Sequence, residues 1–248
     1  MAEKFYDELA GDYHLIFEDW DCSIARQGEV LDNLLTAEGI KKSSSILDCS
    51  CGIGTQALGL AKKGYKITAS DISGKSIERA IREAELRHLN IQFFQADMRA
   101  LSSVSSDSFQ AIISMDNALP HLITDKDCLE ALKEVYCSLS QEGIFLFSTR
   151  NYDAIHKERP SSTLPARRKN TITFQLWDWH QNSDVYDLRH FTMAEKDGTW
   201  DVSERNSQYR AYKREDLKQL LLEAGFRQVK WLHPEESGFY QPIAIAYK

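Results

Sequence analysis

The chain has 248 residues, 42% of them apolar, and a formal net charge of −7. This length and apolar share suit one globular domain with an elaboration, or a domain with a small additional lobe. The negative charge and the lack of a long basic run disfavour a dedicated nucleic-acid-binding protein, which usually carries a basic face. No apolar stretch approaches the roughly 20 residues that a transmembrane helix needs. We therefore expect a small-molecule partner rather than a nucleic acid or a membrane.

The cysteines and the first residues favour a cytoplasmic location. The sequence starts with MAEKFYDELA, which is acidic and amphipathic, unlike a secretory signal. Five cysteines are scattered through the chain, and their odd number suggests reduced thiols. Cys49 and Cys51 have C-x-C spacing, but no second Cys or His pair at ligand spacing accompanies them. The sequence therefore predicts no metal site.

The N-terminal segment predicts two helices, over residues 3–20 and 23–38. Ser23 could cap the second helix, which carries a helical stripe of apolar side chains. The segment contains several aromatic residues but too little apolar sequence for a core of its own. We interpret residues 1–38 as a helical lid.

Short apolar strands alternate with helical segments between residues 45 and 150. The strands are SSSILDCS, YKITASD, IQFFQAD, FQAIISMD and IFLFSTR. Ser73 and Thr124 are suitable N-caps for two of the helices between them, and Gly64 is a suitable end for another. Unbroken apolar strands that alternate with helices predict an α/β fold with a parallel sheet covered on both faces.

The pattern changes after Arg150. Residues 151–170 are polar and predict a loop, in which the basic side chains are Lys157, Arg159, Arg167, Arg168 and Lys169. TITFQLWDWH, DVYDLRHFTM and TWDVSERNSQYRAY then predict antiparallel strands, with EKDGT as a hairpin turn. A helix, REDLKQLLLEAGF, and two strands, RQVKWLHP and YQPIAIAYK, complete the chain. We interpret residues 39–150 and 211–248 as the core, and 151–210 as an inserted antiparallel β-lobe over the site.

The turn after the first strand fits the pattern G-x-G-x-x-[GA]. It runs from Gly52 through Gly54 to Ala57, between a strand and a helix. Glycines at this place let the backbone approach a ligand, and the helix N-terminus offers free N–H groups. Asp71 closes the next strand, where a carboxylate can accept both hydroxyls of a ribose. Alone, the pattern is also consistent with a tight turn followed by an acidic helix cap.

Further polar residues follow successive strands. Asp48 precedes the turn, where it would repel a pyrophosphate but attract a cation. Asp97 and Met98 follow the third strand and suit an adenine, and Asn117 follows the fourth in SMDNALPHL. Because open α/β sheets bind ligands beyond the carboxyl ends of their strands, these side chains predict one shared site.

These motifs resemble those of the class I S-adenosylmethionine-dependent methyltransferases. ILDCSCGIG resembles the first motif of that family, ASDIS its ribose-binding acid, QADMRAL its adenine site and SMDNALPHL its fourth motif, and Ser50 departs from a common glycine. The resemblance covers roughly residues 40–150 and 213–248. It implies a Rossmann-like, mostly parallel seven-stranded sheet with an antiparallel final strand, and S-adenosylmethionine as cofactor. The implied cofactor-binding residues are Asp48, Cys49, Ser50, Cys51, Gly52, Gly54, Thr55, Asp71, Ile72, Asp97, Met98, Met115 and Asn117.

A narrower resemblance points to the branch that methylates glycine and sarcosine on nitrogen. STRNYDAI and DNALPHL carry it. It implies that Arg150 grips an amino-acid carboxylate and that Asn117 lies close to the substrate. The segment DYHLIFEDWDCSIARQ resembles the leader of that branch, which implies that Arg26 pairs with the methionine carboxylate and that Tyr13 or Trp20 covers the site. Asn117, Arg150 and Tyr13 are therefore the predicted catalytic residues.

Alternatives stay open from the sequence. The chain could methylate an oxygen or nitrogen of another metabolite, use a nicotinamide nucleotide for oxidoreduction, or bind the cofactor without catalysis. Arg150 could be a surface ion-pair partner, and His121 could be a helix cap. The role of Trp177 and Trp179 could be limited to packing the β-lobe against the core. The basic loop could be solvated or could bind an anion.

Overall fold

The computed structural model describes residues 1–104, 108–168 and 170–248. The helices are α1 (Ala2–Leu9), α2 (Trp20–Ala37), α3 (Thr55–Lys62), α4 (Gly74–Leu86), α5 (Asp125–Ser138), α6 (Tyr152–Glu158), α7 (Arg214–Ala224) and α8 (Pro234–Ser237). The strands are β1 (Ser45–Asp48), β2 (Lys66–Asp71), β3 (Ile91–Gln95), β4 (Phe109–Ser114), β5 (Leu139–Ser148), β6 (Ala166–Arg168), β7 (Thr171–Trp179), β8 (Val185–Lys196), β9 (Thr199–Arg210), β10 (Gln228–Leu232) and β11 (Ile243–Tyr247). Short 3₁₀ turns cover Tyr13–Ile16, Met98–Ser103 and Leu119–His121.

The central sheet has seven strands in the order β10-β11-β5-β4-β1-β2-β3. Strands β1 to β5 pair in parallel, whereas β11 is antiparallel to both of its neighbours. The predicted α/β fold with an antiparallel final strand is therefore confirmed.

Both faces of this sheet are buried, which explains the unbroken apolar strands. Leu47 and Ile112 pack toward α5 and α7, while the adjacent residues Ile46 and Ile113 pack on the opposite face. Because successive side chains of a strand point to opposite faces, each strand needs apolar residues at every position.

The inserted segment forms a separate antiparallel sheet, β6-β7-β8-β9. Asp197 and Gly198 both have positive φ, 51° and 79°, and connect β8 to β9 at the predicted hairpin turn. The inner face of this β-lobe carries aromatic side chains that pack on α1 and α6, and they include Trp177, Tyr186 and Tyr209. Trp177 and Trp179 both contact the Tyr186 ring, with centroids 4.8 and 4.7 Å away.

The structure corrects two local predictions near the N-terminus. Helix α1 ends at Leu9 rather than near residue 20, and a separate 3₁₀ turn covers Tyr13–Ile16. Between them, Arg205 of β9 donates to the Asp12 carboxylate. Helix α2 starts at Trp20 because the Asp19 side chain accepts a hydrogen bond from the Cys22 amide, at 2.9 Å. Ser23 therefore lies inside the helix and is not its cap.

The segment 151–170 is also more ordered than a loop. Asn151 caps α6, since its side chain accepts a hydrogen bond from the Ala154 amide, and β6 adds a short edge strand to the lobe. Of the five basic residues named there, Lys169 lies outside the described residues.

Candidate active site

A cavity of about 500 Å³ lies at the carboxyl ends of β1 to β4, between the central sheet and the lobe. The turn after β1 forms its floor, and α1 and β9 close it from the other side. The predicted site residues that line it are Tyr13, Cys49, Ser50, Cys51, Gly52, Thr55, Asp71, Ile72, Asp97, Met98 and Met115. Most of the predicted residues therefore lie together, as expected for side chains at the carboxyl ends of parallel strands.

The glycine turn depends on backbone angles that suit glycine. Gly52 and Gly54 have φ values of 52° and 96°, in the left-handed region that other residues rarely adopt. The Gly52 amide donates to Asp71 Oδ2 at 2.8 Å, and the Ser73 amide donates to Asp71 Oδ1 at 2.9 Å. Asp71 thus braces the turn while it faces the cavity. Burial raises the pKa of its carboxyl, and the two backbone hydrogen bonds oppose that rise.

Asp48 lies directly behind the cavity wall and is 1% exposed. Its Oδ1 accepts a long hydrogen bond, 3.4 Å, from the Ser50 amide, and its Oδ2 has no hydrogen-bond partner among the described residues. Burial raises the pKa of Asp48 to about 8, and the charges of Asp71 and Asp116 add to the rise. A buried carboxylate without a counter-charge is costly, so a cationic ligand would stabilise its ionised form.

Asp97 faces the cavity together with Met98, but its carboxylate is engaged by Arg99. The Arg99 guanidinium donates to both Asp97 oxygens and also to Asp127 Oδ1 at 2.7 Å. Burial alone would raise the pKa of Asp97, but the hydrogen bonds from Arg99 lower it below the ordinary value. Arg99 and Asp127 also line the cavity and were not predicted from the sequence.

Two predicted leader residues do not line this cavity. Trp20 is buried behind it, where its Nε1 donates to Thr55 Oγ1 at 2.9 Å, so it supports the turn from outside. Arg26 is exposed and lines a second cavity, of about 670 Å³, with Gln27 and Tyr240. The predicted pairing of Arg26 with the methionine carboxylate stays a prediction.

Four further predicted residues do not line the cavity, namely Asn117, Arg150, Asp48 and Gly54. Asn117 is 2% exposed, and its side chain is fully engaged by the protein. Its Nδ2 donates to the Tyr152 hydroxyl at 3.1 Å, and its Oδ1 accepts from Thr149 Oγ1 and the Arg150 amide at 3.2 and 3.0 Å. These bonds fix the loop after β4 to the end of β5.

Arg150 lies on an aromatic surface of the lobe. Its guanidinium donates to the Tyr186 hydroxyl at 3.1 Å and to Gln175 Oε1 at 3.0 Å, and lies 4.8 Å from the Trp177 ring centroid. Within residues 1–104, 108–168 and 170–248, no carboxylate lies within ion-pair distance of it. The side chain of Arg150 is partly exposed, and its positive charge has no acidic partner within the described residues.

A cluster around His121 was largely missed from the sequence. The Tyr6 hydroxyl of α1 is 2.9 Å from His121 Nε2, and Ser207 Oγ of β9 is 3.2 Å from His121 Nδ1. Burial, and then the charge of Arg150, lowers the pKa of His121 to about 3, so this imidazole is neutral near pH 7. The sequence motif DNALPHL drew attention to His121, but no sequence pattern connected it to Tyr6 or Ser207.

Asp116 is a second missed residue, although it directly follows β4. Its Oδ1 accepts from the Tyr240 hydroxyl at 2.5 Å, and its Oδ2 accepts from Gln56 Nε2 at 2.8 Å. Asp116 and Gln56 line the main cavity, and Tyr240 lines the second one. The rule that placed Asp48, Asp71 and Asp97 at strand ends applies equally to Asp116.

The described part of the chain offers neither a metal-ion cluster nor a membrane-spanning helix. No group of three or more His, Cys, Asp or Glu side chains there could hold a metal ion. No helix in the same ranges is long and apolar enough to cross a membrane.

Comparisons with known proteins agree with this geometry. A family model described as a methyltransferase domain matches residues 46–143. Glycine/sarcosine N-methyltransferases of Parasynechococcus marenigrum and Halorhodospira halochloris are 31% and 29% identical, over 55% of this chain and 48% and 50% of their own lengths. The chain thus spans about half the length of these curated relatives.

A solved structure resembles nearly the whole chain. The S-adenosylmethionine-dependent methyltransferase from Clostridium acetobutylicum has a TM-score of 0.74, with 90% of this chain and 89% of that chain covered at 15% identity. At this identity the similarity concerns the fold. Together with the matched domain and the strand-end site, it confirms the resemblance that the motifs indicated. Residues 46–143 are therefore a methyltransferase domain, and the chain has the fold of the class I S-adenosylmethionine-dependent methyltransferases.

Proposed function

We propose that the protein transfers a methyl group from S-adenosylmethionine to the amino nitrogen of a small carboxylate-bearing acceptor, such as glycine or sarcosine. The observation that carries this proposal is the guanidinium of Arg150, which has no acid partner in the described ranges and lies beside the cavity. A guanidinium can hold a carboxylate through two parallel hydrogen bonds. The glycine/sarcosine N-methyltransferases named above support the same acceptor class.

The residues of the cavity fit the cofactor. A Cβ at Gly52 would meet no atom within 4 Å, so the backbone there is open to a ligand. Asp71 has lone pairs left for a ribose, Met98 offers an apolar surface for an adenine, and the unpartnered oxygen of Asp48 suits a positive charge. When bound, S-adenosylmethionine supplies a methyl group already activated by its sulfonium.

The protein then has to orient the acceptor and exclude water. Proximity and orientation supply on the order of 7–11 kcal/mol in ideal geometry. The positioning contacts in this proposal are the carboxylate held by Arg150 and the aromatic walls contributed by Tyr6 and Tyr13. Asn117 contributes indirectly, because it fixes the backbone of Arg150 through a hydrogen bond of 3.0 Å.

We further propose that the enzyme acts in the cytoplasm and does not act on nucleic acid. All five cysteines are unpaired, and Cys49, Cys51 and Cys128 are buried. A thiol content of this kind suits a reducing compartment.

A panel of acceptors tests the proposal. Purified protein with S-adenosylmethionine is offered glycine, sarcosine, dimethylglycine, larger amino acids, carboxylate-free amines and bulk RNA, and S-adenosylhomocysteine release is measured. We expect turnover with at least one amino acid and none with RNA. Turnover with a carboxylate-free amine alone would refute the carboxylate clamp, and turnover with RNA alone would refute the small-molecule assignment.

A further inference from the structure

Asp116 has an unusual backbone that places its side chain in the cavity. Asp116 and Asn117 have φ values of 57° and 70°, two consecutive non-glycine residues in the left-handed region. Asp and Asn adopt this region more readily than other non-glycine residues, and backbone of this kind is concentrated at functional sites. Ser148 supports the turn, because its Oγ accepts from the Asp116 amide at 2.8 Å and its carbonyl accepts from the Asn117 amide at 3.2 Å.

The charges around Asp116 favour a cationic ligand. No Lys, Arg or His in the described ranges is within ion-pair distance of its carboxylate, which accepts only from Tyr240 and Gln56. Asp48 lies close enough for the two carboxylates to repel each other. Asp48 is 1% exposed and its Oδ2 has no hydrogen-bond partner among the described residues, which is an independent sign that a positive charge of a ligand lies near this end of the cavity.

Tyr13 and Asp116 both line the cavity, and the Tyr13 hydroxyl is within electrostatic reach of Asp116 and of Arg150. Burial raises the pKa of the Tyr13 hydroxyl, the charge of Asp116 raises it further, and the charge of Arg150 lowers it. The same hydroxyl therefore senses negative charge from Asp116 and Asp71 and positive charge from Arg150, and neither Asp116 nor Arg150 has an ion-pair partner in the described ranges. An acceptor that carries both an ammonium and a carboxylate would complement charges of both signs.

Other titratable groups of the cavity are poor proton acceptors. His121 is neutral but has a pKa of about 3, and both of its ring nitrogens are engaged by Tyr6 and Ser207. Asp97 is ion-paired with Arg99, and both oxygens of Asp71 accept backbone amides. Burial raises the pKa of Asp116, which its two hydrogen bonds only partly oppose, so its carboxylate is a better base than an ordinary aspartate.

We propose that Asp116 binds the ammonium group of the acceptor and takes one proton from it, while Arg150 holds the carboxylate of the same molecule. This assignment rests on the proposed function. The N–H bond of the ammonium breaks and the proton forms a new bond to a carboxylate oxygen of Asp116, which leaves a neutral amine with a lone pair. That lone pair forms the new N–C bond as the S–C bond breaks, and the electron pair of the S–C bond stays on sulfur. Tyr240, which is 52% exposed, connects Asp116 to solvent, where the proton leaves.

The pH profile of kcat/KM tests the assignment, with glycine and sarcosine as acceptor probes. In the parent, activity needs an ionised Asp116 and a protonated acceptor, so the profile is bell-shaped. In Asp116→Asn the acceptor must arrive already neutral. We expect kcat/KM to fall about 100-fold at pH 7, within the range typical of lost acid–base catalysis, and to rise with pH up to the pKa of the amine. Asn tolerates the left-handed backbone, so the variant keeps the turn.

Tyr240→Phe provides a second measurement. Its hydroxyl lowers the pKa of Asp116, so its loss shifts the acidic limb of the profile to higher pH. Asp48 and Tyr13 also interact electrostatically with this carboxylate, and both are unchanged in the two variants. Asp178→Asn is the matched control, because it removes one carboxylate from an exposed pair with Arg189 on the lobe and should leave the profile unchanged.

The outcomes separate this inference from the proposed function. If the parent methylates no amino acid, both fail. If the parent is active and Asp116→Asn keeps a bell-shaped profile with kcat/KM within twofold, only the role of Asp116 is overturned. Affinity for S-adenosylhomocysteine should stay within about twofold in the variant. A tenfold loss of that affinity with an unchanged acceptor KM would instead assign Asp116 to the cofactor and overturn the inference.

Discussion

The backbone amide of Arg150 donates to the side-chain oxygen of Asn117, at 3.0 Å, and this bond ties the end of β5 to the left-handed turn after β4. Asn117 therefore acts on the orientation of Arg150, although its own side chain is directed into the protein. The structure separates two roles that the sequence motifs had placed side by side: Asn117 positions the loop, and the guanidinium of Arg150 is left available for an anion.

Replacing Arg150 by Lys should damage acceptor binding selectively. An ammonium cannot reproduce the paired hydrogen bonds of a guanidinium, nor bond at once to the Tyr186 hydroxyl and Gln175. We expect the acceptor KM to rise at least tenfold and kcat to fall, while affinity for S-adenosylhomocysteine stays within about twofold. Steady-state kinetics and calorimetry measure the two effects. Arg189→Lys, in an exposed pair with Asp178, is the control, and equal kinetics of the two variants would reject the clamp.

Asp71→Ala should weaken cofactor binding more than tenfold. A lost hydrogen bond to a charged group costs roughly 1.5–3 kcal/mol, and this carboxylate also braces the Gly52 amide. Calorimetric titration with S-adenosylmethionine gives the dissociation constant, and a thermal melt checks that the variant is folded. Asp178→Ala removes an exposed carboxylate and should bind like the parent. A folded Asp71→Ala protein with unchanged affinity would show that the ribose lies elsewhere.

The sheet was predictable from the sequence because its central strands are buried on both faces. Ile46 and Leu47, for example, point to opposite faces, and both are fully buried. The same rule of strand ends placed Asp71 and Asp97 on the cavity wall. These inferences needed only local sequence and the geometry of parallel sheets.

The rest of the site depends on how distant segments dock. Tyr6 and His121 are 115 residues apart, and their contact exists only because α1 packs against the lobe. Trp20 was expected to cover the site, but the cap at Asp19 starts α2 early enough to bury its ring behind Thr55. The periodicity of apolar residues in a single sequence does not predict contacts between segments that are so far apart in the chain.

The N-terminal segment should become more protected when the cofactor site is filled. Residues of α1 line the cavity. Two polar contacts attach the segment to the rest of the protein, since the Ser73 hydroxyl donates to Asp7 at 2.7 Å and Arg205 donates to Asp12 at 2.6 Å. Helix α2, in contrast, buries Leu31 and Leu35 in the main core. We therefore propose that lid motion is confined to residues 1–19 rather than 1–38.

Amide hydrogen exchange tests the lid. S-adenosylhomocysteine should slow exchange in residues 2–16, because filling the cavity favours the closed segment. Helix α7 is the internal control, since it packs on the far side of the sheet and should exchange at the same rate with and without ligand. Identical exchange of residues 2–16 in the two states would contradict the proposal.

Helices α2 and α3 cross at two glycines that leave no room for a methyl group. A Cβ on Gly28 would lie 2.8 Å from the Gly59 Cα, and a Cβ on Gly59 would lie 2.7 Å from the Ile24 carbonyl oxygen. Because the obstructing atoms are backbone, Gly28→Ala should lower the free energy of unfolding by about 1–3 kcal/mol. Urea denaturation measures the free energy of unfolding of each variant. At Gly11 a Cβ would meet nothing within 4 Å, so Gly11→Ala should unfold within about 0.5 kcal/mol of the parent. Similar stabilities of the two variants would contradict the close crossing.

Cofactor binding should be coupled to proton release from Asp48. Burial raises the pKa of this carboxyl to about 8 in the ligand-free protein, from an ordinary value of 3.8. Between these values the unfolded chain is ionised while the folded protein keeps the proton, so this group contributes less stability as the pH rises toward 8. The positive charge of a bound sulfonium stabilises the ionised carboxylate, so Asp48 loses its proton when the cofactor binds. We therefore expect the affinity for S-adenosylmethionine to increase from pH 6 to pH 8 and to level off above, with protons released on binding.

Calorimetry in buffers of different ionisation enthalpy counts these protons. S-adenosylhomocysteine lacks the sulfonium charge, so its binding should depend less on pH and release fewer protons. Asp48→Asn should flatten the pH dependence for S-adenosylmethionine, because the amide does not titrate. If Asp48→Asn instead keeps the dependence of the parent, the proton comes from another group, and the unpartnered oxygen of Asp48 does not face the charge of the cofactor.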